Sequence, residues 1–407
     1  MVQILLDIFL FIVLIVVMID LLPLIRDWSS RIKIGKFQEF KNWNQMISNQ
    51  GAKWLVKTPK IKVTDNTRLI VIDMLKGNDS KSAIQHWQEG ALILGLSELL
   101  KTNEDLKVKK SIEKFLDSTF DADGQWLKKP DFVDSAILAY AVMKLDYIDS
   151  DQFKKAFDYT WKMIEEHIGE DGTVMYRQSM KNYRYVDTIG FICPFLIAYG
   201  RKYGFEKCID LAVMQLKEYE KHGMHKEFYI PNHAYNIENR IPLGLYGWGR
   251  GLGWFALGLV DSWNELSVNH KYKPELEEMV KKYAEAIMSF QQNNGAWNWT
   301  VTRNESRPDS SATATLSWFL VNAAGIESIS ERCFECSSNA LKFLATVTRR
   351  SGAVDFSQGD TKDIGVYSGN FNILPFTQGF TIRSINLYLR MMQSRGKIES
   401  SPIFSKN

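Results

Sequence analysis

After residue 66 the chain alternates between two kinds of helical stretch, and few folds can accommodate that alternation. One kind is amphipathic and charged. Leu106–Asp117, Gln152–His167, Phe205–Lys221, Pro274–Phe290 and Glu331–Thr348 carry apolar residues at helical spacing with Lys and Glu between them, as a helix with one wet face does. The other kind is apolar nearly all round: Trp87–Leu100, Phe132–Leu145, Asp187–Tyr199, Gly251–Leu266, Asp309–Ala323 and Thr377–Met391. Such helices must be covered on every side. Counting Thr67–Lys76 as the first outer helix gives six outer and six inner helices in strict alternation. This predicts an all-α fold, an (α/α)6 barrel in which a closed inner ring is wrapped by an outer one.

The connections repeat as well. Asp123-Gly-Gln-Trp126, Asp171-Gly-Thr-Val174, Asn294-Gly-Ala-Trp297 and Ser351-Gly-Ala-Val354 each place a turn glycine before a short extended piece that leads to an inner helix. The long loops therefore gather at one end of the barrel, where a site belongs.

Ahead of the barrel, Ile4 to Ile25 is almost wholly apolar, broken only by Asp7, Asp20 and Pro23, and about 20 such residues cross a hydrocarbon core. The expected organisation is a transmembrane anchor over 1–27, a juxtamembrane segment over 28–65 that Thr64, Asp65 and Asn66 help to end, the barrel over 66–395 and a tail over 396–407. No basic segment precedes the apolar run and no small-residue cleavage site follows it, so the helix reads as a retained anchor. Arg26, Arg31, Lys33, Lys36 and Lys41 follow the run and no Lys or Arg precedes it, which puts a single-pass protein in the cell membrane with its barrel on the cytoplasmic side.

A formal charge of +3 over 407 residues, with no dense basic cluster, excludes nucleic acid as a partner. Cys193, Cys208, Cys333 and Cys336 are too scattered for a disulfide framework, and the one Cys-x-x-Cys lacks a second ligand pair. No metal or cofactor is expected.

The most chemically specific stretch is Tyr246–Trp263, YGWGRGLGWFALGLVDSW. Tryptophan faces offer sugar rings a flat apolar surface, and a guanidinium offers a carboxylate two parallel bonds, so Trp248, Arg250 and Trp254 suit an acidic-sugar site. The same residues equally suit a structural role, with Gly249, Gly251 and Gly253 allowing close helix packing and the tryptophans in the core. Asp134, Asp187 and Asp309 occupy equivalent positions at inner-helix starts, each followed by Ser or Thr. For Asp309 a helix cap is the favoured reading. Asp134 and Asp187 would point into the barrel mouth, and Asp187 has Tyr183, Tyr185 and Phe191 nearby, a setting that keeps a carboxyl protonated.

The series Trp87-Gln-Glu-Gly, Val186-Asp-Thr, Trp248-Gly-Arg-Gly-Leu-Gly-Trp254 and Asp309-Ser-Ser-Ala-Thr-Ala314 resembles glycoside hydrolase families 88 and 105, the unsaturated glucuronyl and rhamnogalacturonyl hydrolases, over about residues 65–393. Leu252 stands where that family usually carries Asn. The resemblance implies an (α/α)6 barrel without a metal, acting on an oligosaccharide that ends in a 4,5-unsaturated uronic acid. It implies Asp187 as the catalytic acid and base, Asp134 as the second family aspartate, and Trp87, Tyr185, His233, Trp248, Arg250 and Trp254 as substrate-binding residues. A membrane anchor adds two alternatives: a hydrolase of a saturated sugar, or a glycan-binding partner of polysaccharide-processing or export proteins in exopolysaccharide production.

Overall fold

The structure, a computed structural model, describes residues 2–59, 61–62, 66, 68–77, 80–81, 85–396 and 403. Two helices lie outside the ring, α1 (Val2–Arg31) and α3 (Ile70–Leu75). The outer layer is α2 (Phe40–Val56), α5 (Leu106–Thr119), α7 (Lys154–Glu166), α9 (Glu206–Gly223), α11 (Lys273–Met288) and α13 (Ser330–Thr346). The inner layer is α4 (His86–Leu100), α6 (Ser135–Met143), α8 (Val186–Tyr203), α10 (Gly249–Glu265), α12 (Ser310–Ala323) and α14 (Pro375–Ser394). Each inner helix packs on the next, and α14 returns to α4, so the barrel is closed.

Local chemistry explains the boundaries. Asp105 caps α5 by accepting from the Lys107 and Val108 amides, and α8 stops at Gly204, which has φ 73°. The four turn glycines Gly124, Gly172, Gly295 and Gly352 all have φ between 73° and 88°, where a side chain would be strained. They fold the outer-to-inner connections into short bridges such as Phe120 with Trp126 and Thr348 with Val354. Elsewhere glycine permits contact between inner helices: a Cβ on Gly379 of α14 would lie 2.1 Å from the Ala91 carbonyl of α4.

One expectation is corrected. The first outer helix is α2, inside the stretch read as juxtamembrane, and not Thr67–Lys76, whose first residue lies outside the described set, as do Thr64 and Asp65. Helix α2 buries Trp43, Ile47, Trp54 and Leu55 against α4, α5 and α14, so the ring begins near Phe40 and not at residue 66. In the other stretch only the six-residue α3 forms, and it leans on α1.

Towards the C-terminal ends of the inner helices the ring is filled by buried ions. Arg383 meets Asp261 at 2.5 Å, the Trp318 indole donates to the same carboxylate at 2.9 Å, and Tyr140 and Lys144 both donate to Glu265. The N-terminal ends carry the long connections and form the mouth.

α1 has a stretch of mean hydropathy 3.1 and none of its residues is buried. By length and composition it can cross a membrane.

Candidate active site

The mouth narrows to a cavity of about 80 Å³ lined by Gln85, Trp87, Tyr176, Asp187, Phe191, Trp248, Arg250, Trp254, Asp360 and Thr361. These residues come from three inner helices or their approaches, α4, α8 and α10, and from the connection between α13 and α14. Of the expected residues, Asp187, Trp87, Trp248, Arg250 and Trp254 meet there. Asp134, Tyr185 and His233 are not part of that lining.

The three equivalent aspartates differ in what holds them. Asp309 is fully buried and caps α12, accepting from the Ser311 and Ala312 amides, the Ser311 hydroxyl and the Gln358 amide. Asp134 sits at the N-cap of α6 without making a cap bond, and burial raises its pKa against the pull of His86 and Arg177. Asp187 lies one residue inside α8, so its side chain is not spent on capping, and Oδ2 has no hydrogen-bond partner. Burial pushes its pKa up to about 7; its own helix amide, Arg250 and the Trp254 indole oppose the rise, and the charge of Asp360 adds to it.

His233 Nε2 lies 3.8 Å from Asp187 Oδ2, beyond a hydrogen bond. Burial lowers this imidazole to about 4, so it is neutral beside Asp187. Its carbonyl accepts from the Val186 amide at 3.0 Å, which ties the 231–235 loop to the start of α8. The Tyr176 phenol is raised by burial and by the charges of Asp187, Asp134 and Asp360, so three carboxylates surround it.

The aromatic residues are packed among themselves. Trp254 lies 4.6 Å from Phe191 and 4.7 Å from Phe376, Trp87 meets Trp254 edge-on at 5.6 Å, and Trp248 lies 4.6 Å from His233. Trp248 and Trp254 are both buried, Trp248 donating its indole N–H to Gln358 Oε1 at 2.9 Å. They form the floor and wall of the cavity and not an exposed stacking platform. Gly249 and Gly253 pack α10 against its neighbours, since a Cβ at Gly253 would lie 2.2 Å from Thr315 Oγ1.

Arg250 is held by the protein. Nε donates to Ser311 Oγ at 3.1 Å, Nη2 donates to the Gln358 and Gly359 carbonyls, and Nη1 pairs with Asp360 at 3.3 Å. Asp360 remains partly exposed on the cavity side, with 43% of its side chain accessible. Asp360 thus already pairs with the guanidinium at the cavity.

Tyr176, Gln85, Asp360 and Thr361 were not among the expected residues. Tyr176 and Gln85 sit close to turn and helix-start signals in the chain, whereas Asp360 is 110 residues from the arginine it pairs with and carries no local motif. Among the described residues no group of three or more His, Cys, Asp and Glu is arranged to hold a metal ion.

The family model Glycosyl Hydrolase Family 88 matches residues 61–363. No curated protein matches the chain. Among solved structures it is similar to a family 105 glycoside hydrolase from C. acetobutylicum, with 17% identity, TM-score 0.66, and coverage of 78% of this chain and 98% of that one. It is also similar to an unsaturated glucuronyl hydrolase specific for heparin, with 15% identity, TM-score 0.69, and coverage of 88% and 99%. A third likeness is to the unsaturated glucuronyl hydrolase of Bacillus sp. GL1, responsible for the degradation of glycosaminoglycan, with 14% identity, TM-score 0.65, and coverage of 89% and 96%. A closed ring of six inner and six outer helices, an unspent carboxyl at its mouth and a family match across some three-quarters of the sequence converge: the chain belongs to glycosyl hydrolase family 88 and is a glycoside hydrolase.

Proposed function

We propose that the protein hydrolyses an oligosaccharide ending in a 4,5-unsaturated uronyl residue, with Asp187 transferring the proton. The observation that carries this reading is the Asp187 carboxyl, unpartnered at Oδ2, raised to about 7 and facing an aromatic cavity. The ring double bond of such a sugar is a vinyl ether. Protonated Asp187 gives its proton to carbon 4, leaving an oxocarbenium between carbon 5 and the ring oxygen. Water adds at carbon 5 and its proton returns to the Asp187 carboxylate, which regenerates the acid. The resulting hemiketal opens and releases the aglycone. One carboxyl serves both steps, unlike the paired carboxylates of ordinary glycosidases. Neutral His233, 3.8 Å from Asp187 Oδ2, and the Tyr176 phenol, in the same lining as Asp187, are polar groups near that carboxyl, and Asp134 acts at longer range on Tyr176.

Asp360 favours a second reading. Its carboxylate already pairs with Arg250, where a uronate would be held, so a sugar without a carboxylate there would leave that pair intact. In the first reading Asp360 moves aside when the uronate pairs with Arg250.

A panel of unsaturated uronyl disaccharides and saturated glycosides, followed by loss of the ultraviolet band of the double bond and by sugar release, tests both. The expected result is turnover of an unsaturated disaccharide that Asp187→Asn reduces by about 100- to 10,000-fold. Asp360→Asn should lower KM for that substrate by removing a like charge. Turnover of saturated glycosides alone overturns the unsaturated uronyl reading in favour of the second, and a KM for the unsaturated disaccharide that rises in Asp360→Asn overturns the displacement of Asp360 by the uronate.

A further inference from the structure

All outer-to-inner connections lie at the mouth, and two of them grip α1. In the last, Asp355 accepts from Arg31 Nε and Arg349 Nε, both at 2.7 Å, Asp27 takes bonds from Arg349 and Asn372, and the Arg31 guanidinium lies 4.8 Å from the Phe356 ring centroid. The Gly35 amide donates to the Thr348 carbonyl at 2.9 Å. The first connection holds α3, where both Asp20 carboxylate oxygens accept from backbone amides, Leu69 at 2.8 Å and Ile70 at 2.9 Å. Asp20 and Arg31 are separated by about 16 Å of helix at 1.5 Å per residue. Helix α1 thus leaves the ring at its mouth, with α3 fastened beside it.

Around that exit the surface is apolar and basic. Leu69, Ile72, Met74 and Leu75 of the α3 segment are exposed, Leu75 to 84%, as is Trp28 on α1. Arg26, Lys33, Arg68 and Lys76 are exposed among them; the acids are Asp20, bound to the α3 amides, Asp27, bound to Arg349 and Asn372, and Asp73, bound to Asn66.

We propose that the mouth rim is a membrane-docking surface: the α3 segment inserts Leu69, Ile72 and Leu75 into the headgroup boundary of the bilayer that α1 crosses, its basic residues meet anionic lipid, and the catalytic mouth opens towards that membrane. Apolar side chains continuous with a spanning helix, a Trp at the same level and flanking cations are the chemistry of an interfacial segment. The docking rests on the reading that α1 spans the bilayer. It narrows the substrate to glycan attached to or lying along that membrane, which enters sideways through a gap no deeper than the 16 Å or so of helix between Arg31 and Asp20.

The full chain, in the Cys336→Ser background that removes the one cysteine not fully buried, is reconstituted in vesicles containing anionic lipid. A solvatochromic dye is placed in turn at Phe11→Cys, Leu75→Cys and Val268→Cys; Val268 is exposed on an inner-to-outer connection at the other end of the ring. The expected result is strong quenching by spin-labelled lipid at positions 11 and 75, with aqueous iodide reaching only position 268. Lipid quenching at 11 with position 75 behaving like 268 overturns the docking and leaves the anchor standing. Iodide access at both 11 and 75 overturns the anchor, and the docking with it.

Discussion

Asp187 is costly to the fold when it is charged, and in the proposed reaction it acts when it is not. Its pKa rises from 3.8 to about 7 on folding, so the folded state holds the proton more tightly than the unfolded chain. Stability from this group is therefore complete below its unfolded pKa and is lost as pH rises through about 7. The stability advantage of Asp187→Asn over the parent should grow between pH 5 and pH 8.5 by on the order of 2–4 kcal/mol; the same difference in denaturation midpoint at both values would mean that the carboxyl ionises freely. In the parent enzyme, activity should fall above pH 7 as the acid form disappears, and Asp360→Asn should move that limb to lower pH because Asp360 helps to raise Asp187. Arg250 carries a different test. Its four protein acceptors make Arg250→Lys a stability mutation costing roughly 2–4 kcal/mol, read as a lowered thermal midpoint. An unchanged midpoint with a sharply raised KM would make the substrate its main partner. At this scale the sequence spoke only where a residue's own neighbours decide its environment. The aromatic setting of Asp187 and the cap at Asp309 are local, whereas the Arg250–Asp360 pair depends on two segments meeting across the ring.

Helices explain why most of the architecture was legible. Inner helices are buried on every face, so stretches such as Ser310–Ala323 are apolar all round, and their outer partners keep one charged stripe. Helix α2 defeats that logic. Asn42, Asn44, Gln45, Asn49 and Gln50 blur its apolar stripe, and the Asn44 side chain is buried in hydrogen bonds with Asn386 of α14. A polar residue satisfied inside an interface looks, in sequence, like one facing water. The α4–α14 contact that α2 covers depends on glycine, and Gly379→Ala should lower stability by about 1–3 kcal/mol because the added Cβ meets the Ala91 carbonyl and Leu92 amide of α4. Gly369→Ala, with no atom within 4 Å of the added Cβ, should change the unfolding midpoint little. Equal effects would mean that the two helices can separate without loss.

For the whole molecule, the proposed crossing of the membrane by α1 makes the side on which the ring lies decide whether it meets nascent or external glycan. The mature structure gives Arg31 a structural duty, pairing with Asp355, but orientation is set during insertion, before the ring exists to claim it. At that stage Arg26, Arg31, Lys33, Lys36 and Lys41 are all free cations within the 16 residues after Ile25, and nothing basic precedes the apolar run. Short segments rich in Lys and Arg are retained on the cytoplasmic side. A fluorescent protein fused after Asn407 should therefore be bright, and an export-dependent phosphatase at the same point should be inactive. Replacing the five cations with Gln weakens the retention signal without touching the apolar run, so a share of the phosphatase fusions should become active. An active phosphatase on the unaltered chain would place the ring outside, and the lipid facing its mouth would then be the outer leaflet.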